Sequence, residues 1–157
     1  MSLVVLLGIL IIGGLVAWLS ERVNSDYPRW VSLITIALAL LQLLNVVNSA
    51  PATLADPLLP TSNTNEWLVY LKLEWIPRFG ISVELAMDGV SLLLLALTLL
   101  LGLIAVSSSW DEIDFKPGLF QANLMWTLAG VTGVFLAMDL FLFFLFWEVM
   151  LLSLIHI

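Results

Sequence analysis

Glu148 is the residue of this chain whose type and setting most plainly invite chemistry. It is the one acid inside "FLFFLFWEVML", a nearly pure Phe/Leu run. It follows Asp139 by nine residues, which is about 13–14 Å along a helix rising about 1.5 Å per residue. With Asp139 at the edge of an apolar span, Glu148 falls close to its middle. An ionised acid at that depth costs about 2.5–3.5 kcal/mol on insertion scales. Two roles are open on these grounds. A neutral acid could donate a hydrogen bond between helices, a packing role worth about 1 kcal/mol. Alternatively, the group faces a water-containing path and exchanges protons. Intramembrane acids favour function by default, and a Phe/Leu helix makes its single acid hard to regard as incidental.

The other polar side chains in apolar surroundings are Gln42, Asn45, Gln121, Asn123, Thr127 and Thr132. Gln121, Asn123 and Thr127 are candidates either for interhelical hydrogen bonds or for a proton path, with the bonding role favoured. Asp139 is expected at the outer interface. Asp88 directly precedes an apolar run, where a carboxylate satisfies free helix amides and suits the positive end of the dipole; that capping role is favoured over transport. With no Cys and a single His, His156, the chain excludes disulfides, thiolate ligation and bis-His haem ligation within itself. It is expected to bind no cofactor or metal. No Lys/Arg cluster suggests a nucleic-acid partner.

What must position these residues is a membrane. The chain is 62% hydrophobic and 11% charged, with a mean hydropathy of +1.12, too little charge to coat a soluble domain. Apolar runs lie at 3–19, 30–47, 90–106, 119–138 and 140–157, and the first four hold no charged residue. A hydrocarbon core about 30 Å thick needs roughly 20 apolar helical residues. Backbone groups in lipid must pair internally, so the runs must be helices. The expectation is an all-α integral membrane fold with five spans, the fifth truncated. The first is expected to be a retained helix, since Met1–Ser2 provide no basic flank for a signal peptide.

Arg22 and Arg29 follow the first span, so the positive-inside rule places that loop in the cytoplasm and the N-terminus outside, with 48–88 an external loop. Trp18, Trp30 and Trp110 sit at span ends, as aromatic belts do. Within the external loop, 49–65 reads as an irregular surface segment. "YLKLEW" and "ISVEL" alternate apolar and polar residues about a Pro77–Gly80 turn, which predicts a β-hairpin at about 68–86. The competing reading is an interfacial loop anchored by Trp67 and Trp75.

Three strings, "WIPRFGISVELAMDGVSLLLLALT", "SSSWDEI" and "NLMWTLAGVTGVFLAMDLFLFFLFWEVML", closely resemble chain M, an antiporter-like subunit of the proton-pumping NADH:quinone oxidoreductase, bacterial respiratory complex I. The resemblance runs from about Leu3 to Leu151 and is weak only before Trp67. It implies the first part of a fourteen-helix antiporter-like fold with two inverted five-helix repeats. It implies a place in the bacterial inner membrane among the other membrane-arm subunits. NADH, FMN, iron–sulfur clusters and quinone would all be held by partner subunits. By this resemblance Glu148 matches the fifth-helix glutamate that pairs with a lysine on a later helix and modulates its protonation. The implied function is proton translocation coupled to NADH oxidation and quinone reduction. The family's lysines would lie beyond residue 157, so the fragment is expected to be inactive alone. Subunits of multisubunit sodium/proton antiporters and membrane-bound hydrogenases share the glutamate and are the alternatives, together with a non-transporting helical scaffold.

The likeness stops at Leu151. The family continues through a Pro, whereas this chain reads Leu-Ser-Leu-Ile-His-Ile, the translation of CTG TCT CTT ATA CAC ATC, which begins a transposon-end adapter. Residues 152–157 are therefore expected to be a non-native tail and His156 to have no role.

Overall fold

In the computed structural model the residues described are 2–24, 26–49, 67–76, 81–110, 112–113 and 115–156, with the backbone alone described at Ile76 and Ile81. The irregular segment expected at 49–65 and the Pro77–Gly80 turn fall, apart from Ser49, outside them. The elements in chain order are α1 (Ser2–Ser20), α2 (Tyr27–Ser49), β1 (Val69–Ile76), β2 (Ile81–Met87), α3 (Gly89–Ser108), α4 (Pro117–Leu136) and α5 (Leu140–His156). The first four helices are long and apolar enough to cross a membrane. The 17 residues of α5 extend about 25 Å, just short of a typical hydrocarbon core.

Helix α4 is the centre, touching every other helix. Its sequence explains why. Lipid offers no hydrophobic drive between helices, so close packing of small residues must hold them together. Gly118, Ala122, Ala129, Gly130 and Gly133 are all buried along α4. Gly118 lies against Ala17 of α1 and Glu21 just past its end, and the Ala122 carbonyl against Gly14. On the other side Gly130 meets Met150 and Gly133 meets the Phe146 ring of α5. These contacts run α1 and α5 antiparallel to α4. Leu3, Leu6 and Leu10 of α1, Ile36 of α2, Leu95 and Leu99 of α3 and Met125 of α4 fill the core.

The hairpin has the register Leu71↔Leu85, Lys72↔Glu84 and Leu73↔Val83, with a bulge between Glu74 and Ile76. Alternation then divides its faces. Leu85 and Met87 enter the helical core, with Val69, Leu71 and Val83 packed against it. Lys72 and Glu84 form an ion pair on the other face. Lys72, with Ser82, holds the Glu84 carboxyl below its ordinary range, and Glu84 raises Lys72 in turn. The hairpin also corrects a boundary. The run 119–138 is helical only to Leu136, because Ala137 bridges to Leu85 and the Met138 N–H donates to the Glu84 carbonyl at 3.0 Å. Strand pairing there competes with another helical turn and wins. The second span likewise begins at Tyr27 rather than Trp30, as Pro28 fits a helix's first turn.

At the opposite end of the bundle, Arg29 ties α2 to the α3–α4 connection. Its guanidinium donates to the Ile113 carbonyl (3.0 Å), pairs with Asp26 (3.3 Å) and lies 5.9 Å from the centre of the Trp110 ring. Trp110 in turn meets Trp30 edge-on at 5.4 Å. The two span-end tryptophans are thus one cluster around a cation.

Candidate functional site

Helix α5 is fixed to α4 by Phe146, Met150 and Ser153, and the buried Leu142 continues the same stripe. At about 100° per residue, Phe141, Phe144, Glu148, Leu151 and Ile155 form another stripe, and all five are exposed. Glu148 therefore sits near the middle of α5, on a face that no helix among the described residues covers. Phe144 and Leu145, one turn before Glu148, are the neighbours in sequence that could shield it from water. Phe144 is itself 55% exposed, so the screen has to come from elsewhere.

The remaining candidates are not gathered around Glu148. Asp88 caps α3, its Oδ1 accepting from the Ser91 N–H at 2.7 Å. The Ser91 hydroxyl, with that N–H bond, draws the Asp88 carboxyl below its ordinary range. Asp139 caps α5, its Oδ2 accepting from the Phe141 N–H at 3.1 Å. Both acids lie at the hairpin end, where the Ser91 hydroxyl also donates to the Phe135 carbonyl (3.1 Å) and ties α3 to α4.

Gln121 and Asn123 lie near the other end of α4, pointing in opposite directions. Gln121 Nε2 approaches the Ser109 hydroxyl at 3.4 Å, while its Oε1 has no partner. Asn123 is 4% exposed, and its Nδ2 has no partner. The Asn123 carbonyl accepts from the Thr127 and Ser153 hydroxyls, so Thr127 is occupied in bonding its own helix. Thr132, fully buried with its hydroxyl unpaired, shares the Gln121 face at a spacing of eleven residues, close to three turns. Among the described residues no cluster of His, Asp and Glu could hold a metal ion.

The chain is 47% identical over 145 residues to NADH-quinone oxidoreductase subunit M of Pseudomonas aeruginosa, and 48% identical over 140 residues to that of Escherichia coli K12. Each match covers 89% of this chain and 27% of the relative. The chain is homologous to subunit M. It spans about a quarter of the length of those relatives. Another subunit M, from a Buchnera aphidicola strain, matches at 40% identity over 152 residues. No model of a known protein family matches the chain.

Solved structures place the subunit M homologue in an antiporter-like fold. An archaeal respiratory membrane complex, the membrane-bound sulfane sulfur reductase, matches at a TM-score of 0.74 with 25% identity, covering 98% of this chain and 22% of the other. The Mrp complex of a Dietzia species matches at 0.75 with 16% identity, covering 99% and 16%. At that identity the second likeness concerns the fold alone.

Three contributions lay beyond the sequence reading. Arg29 is a structural tie as well as a topogenic charge. The Trp126 indole N–H donates to the Ile11 carbonyl at 3.3 Å, tying α4 to α1. Ser109 meets Gln121. A Trp in mid-span rather than at an interface was the available signal for the second; nothing in the sequence marked the other pairings.

Proposed function

We propose that this chain is part of a membrane subunit of an NADH:quinone oxidoreductase, contributing to proton translocation driven by NADH oxidation and quinone reduction. The observation that carries this reading is the 47–48% identity to subunit M over 89% of the chain. The redox work, with NADH, FMN, iron–sulfur clusters and quinone, belongs to partner subunits of the membrane-bound assembly. The chain itself contributes Glu148, a mid-span carboxyl presented on an open helix face.

Such a face suits proton transfer for a physical reason. A carboxyl on an uncovered stripe inside a bilayer is expensive unless a partner or water meets it. Where a neighbouring helix brings a cation, the acid's charge state and the cation's become coupled, and a change at one drives a proton at the other. The bacterial inner membrane is the setting, with the Arg22, Arg29 and Lys116 end in the cytoplasm and the N-terminus in the periplasm. Asp88 and Asp139 act as helix caps rather than path residues.

Replacing Glu148 with Gln in a full-length parent subunit, assembled in its complex and reconstituted in vesicles, tests the reading. Quinone reductase activity is expected to persist while proton pumping is lost. Unchanged pumping would make Glu148 packing glue in a scaffold. Sodium-dependent transport without NADH oxidation would move the chain to the multisubunit antiporters.

A further inference from the structure

Helix α1 turns Gly14 and Ala17 toward α4 and packs against α2 beside them. The α1–α2 contact is closest where Gly13 meets the Thr35 side chain. Next to that contact the pair forms a groove of about 580 Å³, walled by Val5, Ile12 and Val16 on α1 and by Val31, Ile34 and Leu38 on α2. Gly8 is the notch in it, since a Cβ placed there would find no atom within 4 Å. Glycine is a poor helix former, and Gly13, Gly14, Gly102, Gly130 and Gly133 each use their missing side chain to admit a neighbour. Gly8 is the helix-interior glycine for which the described residues supply none. Thr35 is the one polar side chain of the lining, and its hydroxyl is spent on the Val31 carbonyl at 2.8 Å.

Length, width and charge decide what fills the groove. From Val5 to Val16 it runs about 16 Å along α1, close to the depth of one leaflet in a hydrocarbon core about 30 Å thick. It begins one turn inside the end of α1, and Arg22 lies two residues past that end. Arg22 is exposed and forms no ion pair among the described residues. The nearby acids are engaged elsewhere: Asp26 pairs with Arg29, and the Glu21 side chain lies against Gly118 of α4. Tyr27, one turn before Val31, is half exposed at the same end. A helix, about 10–12 Å across with its side chains, is too broad for a notch left by one absent side chain, and the lining offers it no hydrogen bond. An acyl chain is thin enough, needs no polar partner, and carries a phosphate at the end where Arg22 waits.

We propose that the α1–α2 groove is a phospholipid site: one acyl chain of an anionic phospholipid lies over Gly8, and its phosphate pairs with the Arg22 guanidinium. The notch holds the chain, and the cation selects the headgroup, since a guanidinium matches phosphate geometry and an arginine near the membrane surface favours anionic lipid. The inference goes beyond the proton-translocation reading and needs only the membrane setting, so the fate of Glu148 does not decide it. Lipid held this way differs from lipid that merely coats an exposed helix, such as the Leu93, Leu97 and Leu101 stripe of α3.

The test uses the full-length parent subunit in its assembled complex, in phosphatidylcholine nanodiscs that contain a minor share of phosphatidylglycerol with a photoreactive diazirine on one acyl chain. Cross-linked peptides are then quantified by mass spectrometry. Labelling of the α1 and α2 walls is expected to exceed that of the α3 stripe. It should also be about fivefold stronger than with the matching phosphatidylcholine probe, as one arginine near the membrane surface predicts. Gly8→Leu fills the notch, where a Cβ meets nothing in the chain, and should bring wall labelling down to the α3 level. Arg22→Gln should keep the wall labelling and erase the headgroup preference. Quinone reductase activity equal to the parent's shows that each variant complex has assembled, and the parent complex alone decides the comparison with α3. Walls labelled no more than α3 would mean ordinary lipid coating and overturn the proposal. Walls left unlabelled beneath a neighbouring helix, or a headgroup preference that survives Arg22→Gln, would overturn it too.

Discussion

Two carboxylates of this chain, Asp88 and Glu148, differ in what surrounds them more than in their chemistry. Asp88 is fully accounted for by its own helix: it accepts the Ser91 N–H, and the Ser91 hydroxyl together with that N–H holds its carboxyl below the ordinary range. Its stabilising effect is present above the unfolded carboxyl value of about 3.9 and is lost as pH falls through the lower folded value. Asp88→Ala should therefore lower stability in detergent at neutral pH by about 1 kcal/mol. Asp88→Asn should retain most of the cap and lose the associated acid sensitivity. Thermal unfolding between neutral pH and about pH 3 measures both; an alanine variant that melts with the parent at neutral pH would remove the cap from the account. Glu148 has no such local explanation, and that contrast makes it the group to test in the pumping assay. The sequence made both residues visible, Asp88 by its place before an apolar run and Glu148 by its isolation. It could not show that Glu148 points away from the other four helices, since that depends on which stripe of α5 meets α4.

At the scale of elements, the α4–α5 pair is held by shape. A Cβ added at Gly133 would lie 2.2 Å from Phe146 Cδ1, and one at Gly130 would lie 2.9 Å from Met150 Cβ. Gly133→Ala should destabilise the bundle by about 1–3 kcal/mol, because the Phe146 ring would have to move. Combining it with Phe146→Leu should cost less than the sum of the two single changes, as residues in contact are not additive. Thermal melts of the two single variants and the pair decide this, and simple additivity would mean the contact is not the constraint. The hairpin shows how far pattern reading goes. Alternation in "YLKLEW" and "ISVEL" predicted paired strands, and Leu71↔Leu85 and Lys72↔Glu84 form in the structure. Helix α4 ends two residues before the apolar run does, although the sequence of Ala137–Met138 is compatible with helix. Only the nearby edge of β2 makes extension preferable there.

For the whole molecule, the two ends of the bundle differ in chemistry. One carries the hairpin with Asp88 and Asp139, and the other carries Arg29 with its tryptophans, Arg22 and Lys116. The proposed orientation puts the arginine end in the cytoplasm. In a cysteine-free background of the full-length subunit, Tyr70→Cys on the exposed hairpin face should react with a membrane-impermeant maleimide from the periplasmic side. Glu112→Cys should react only after the membrane is opened; the reverse pattern would invert the topology.

By itself the sequence determined the membrane class, the number of apolar helices, the hairpin and the isolated acid. Each follows from local composition and period, which lipid and the pleated strand read directly. Tertiary structure alone decided that α4 is the hub, that Gln121 and Asn123 diverge, that Asn123 keeps an unmet amide, and that Glu148 lies on an uncovered face. Those facts depend on the rotation of each helix against its neighbours. In a bundle whose helices are apolar all round, no polar stripe in the sequence fixes that rotation; the small residues of α4 and the side chains they admit do.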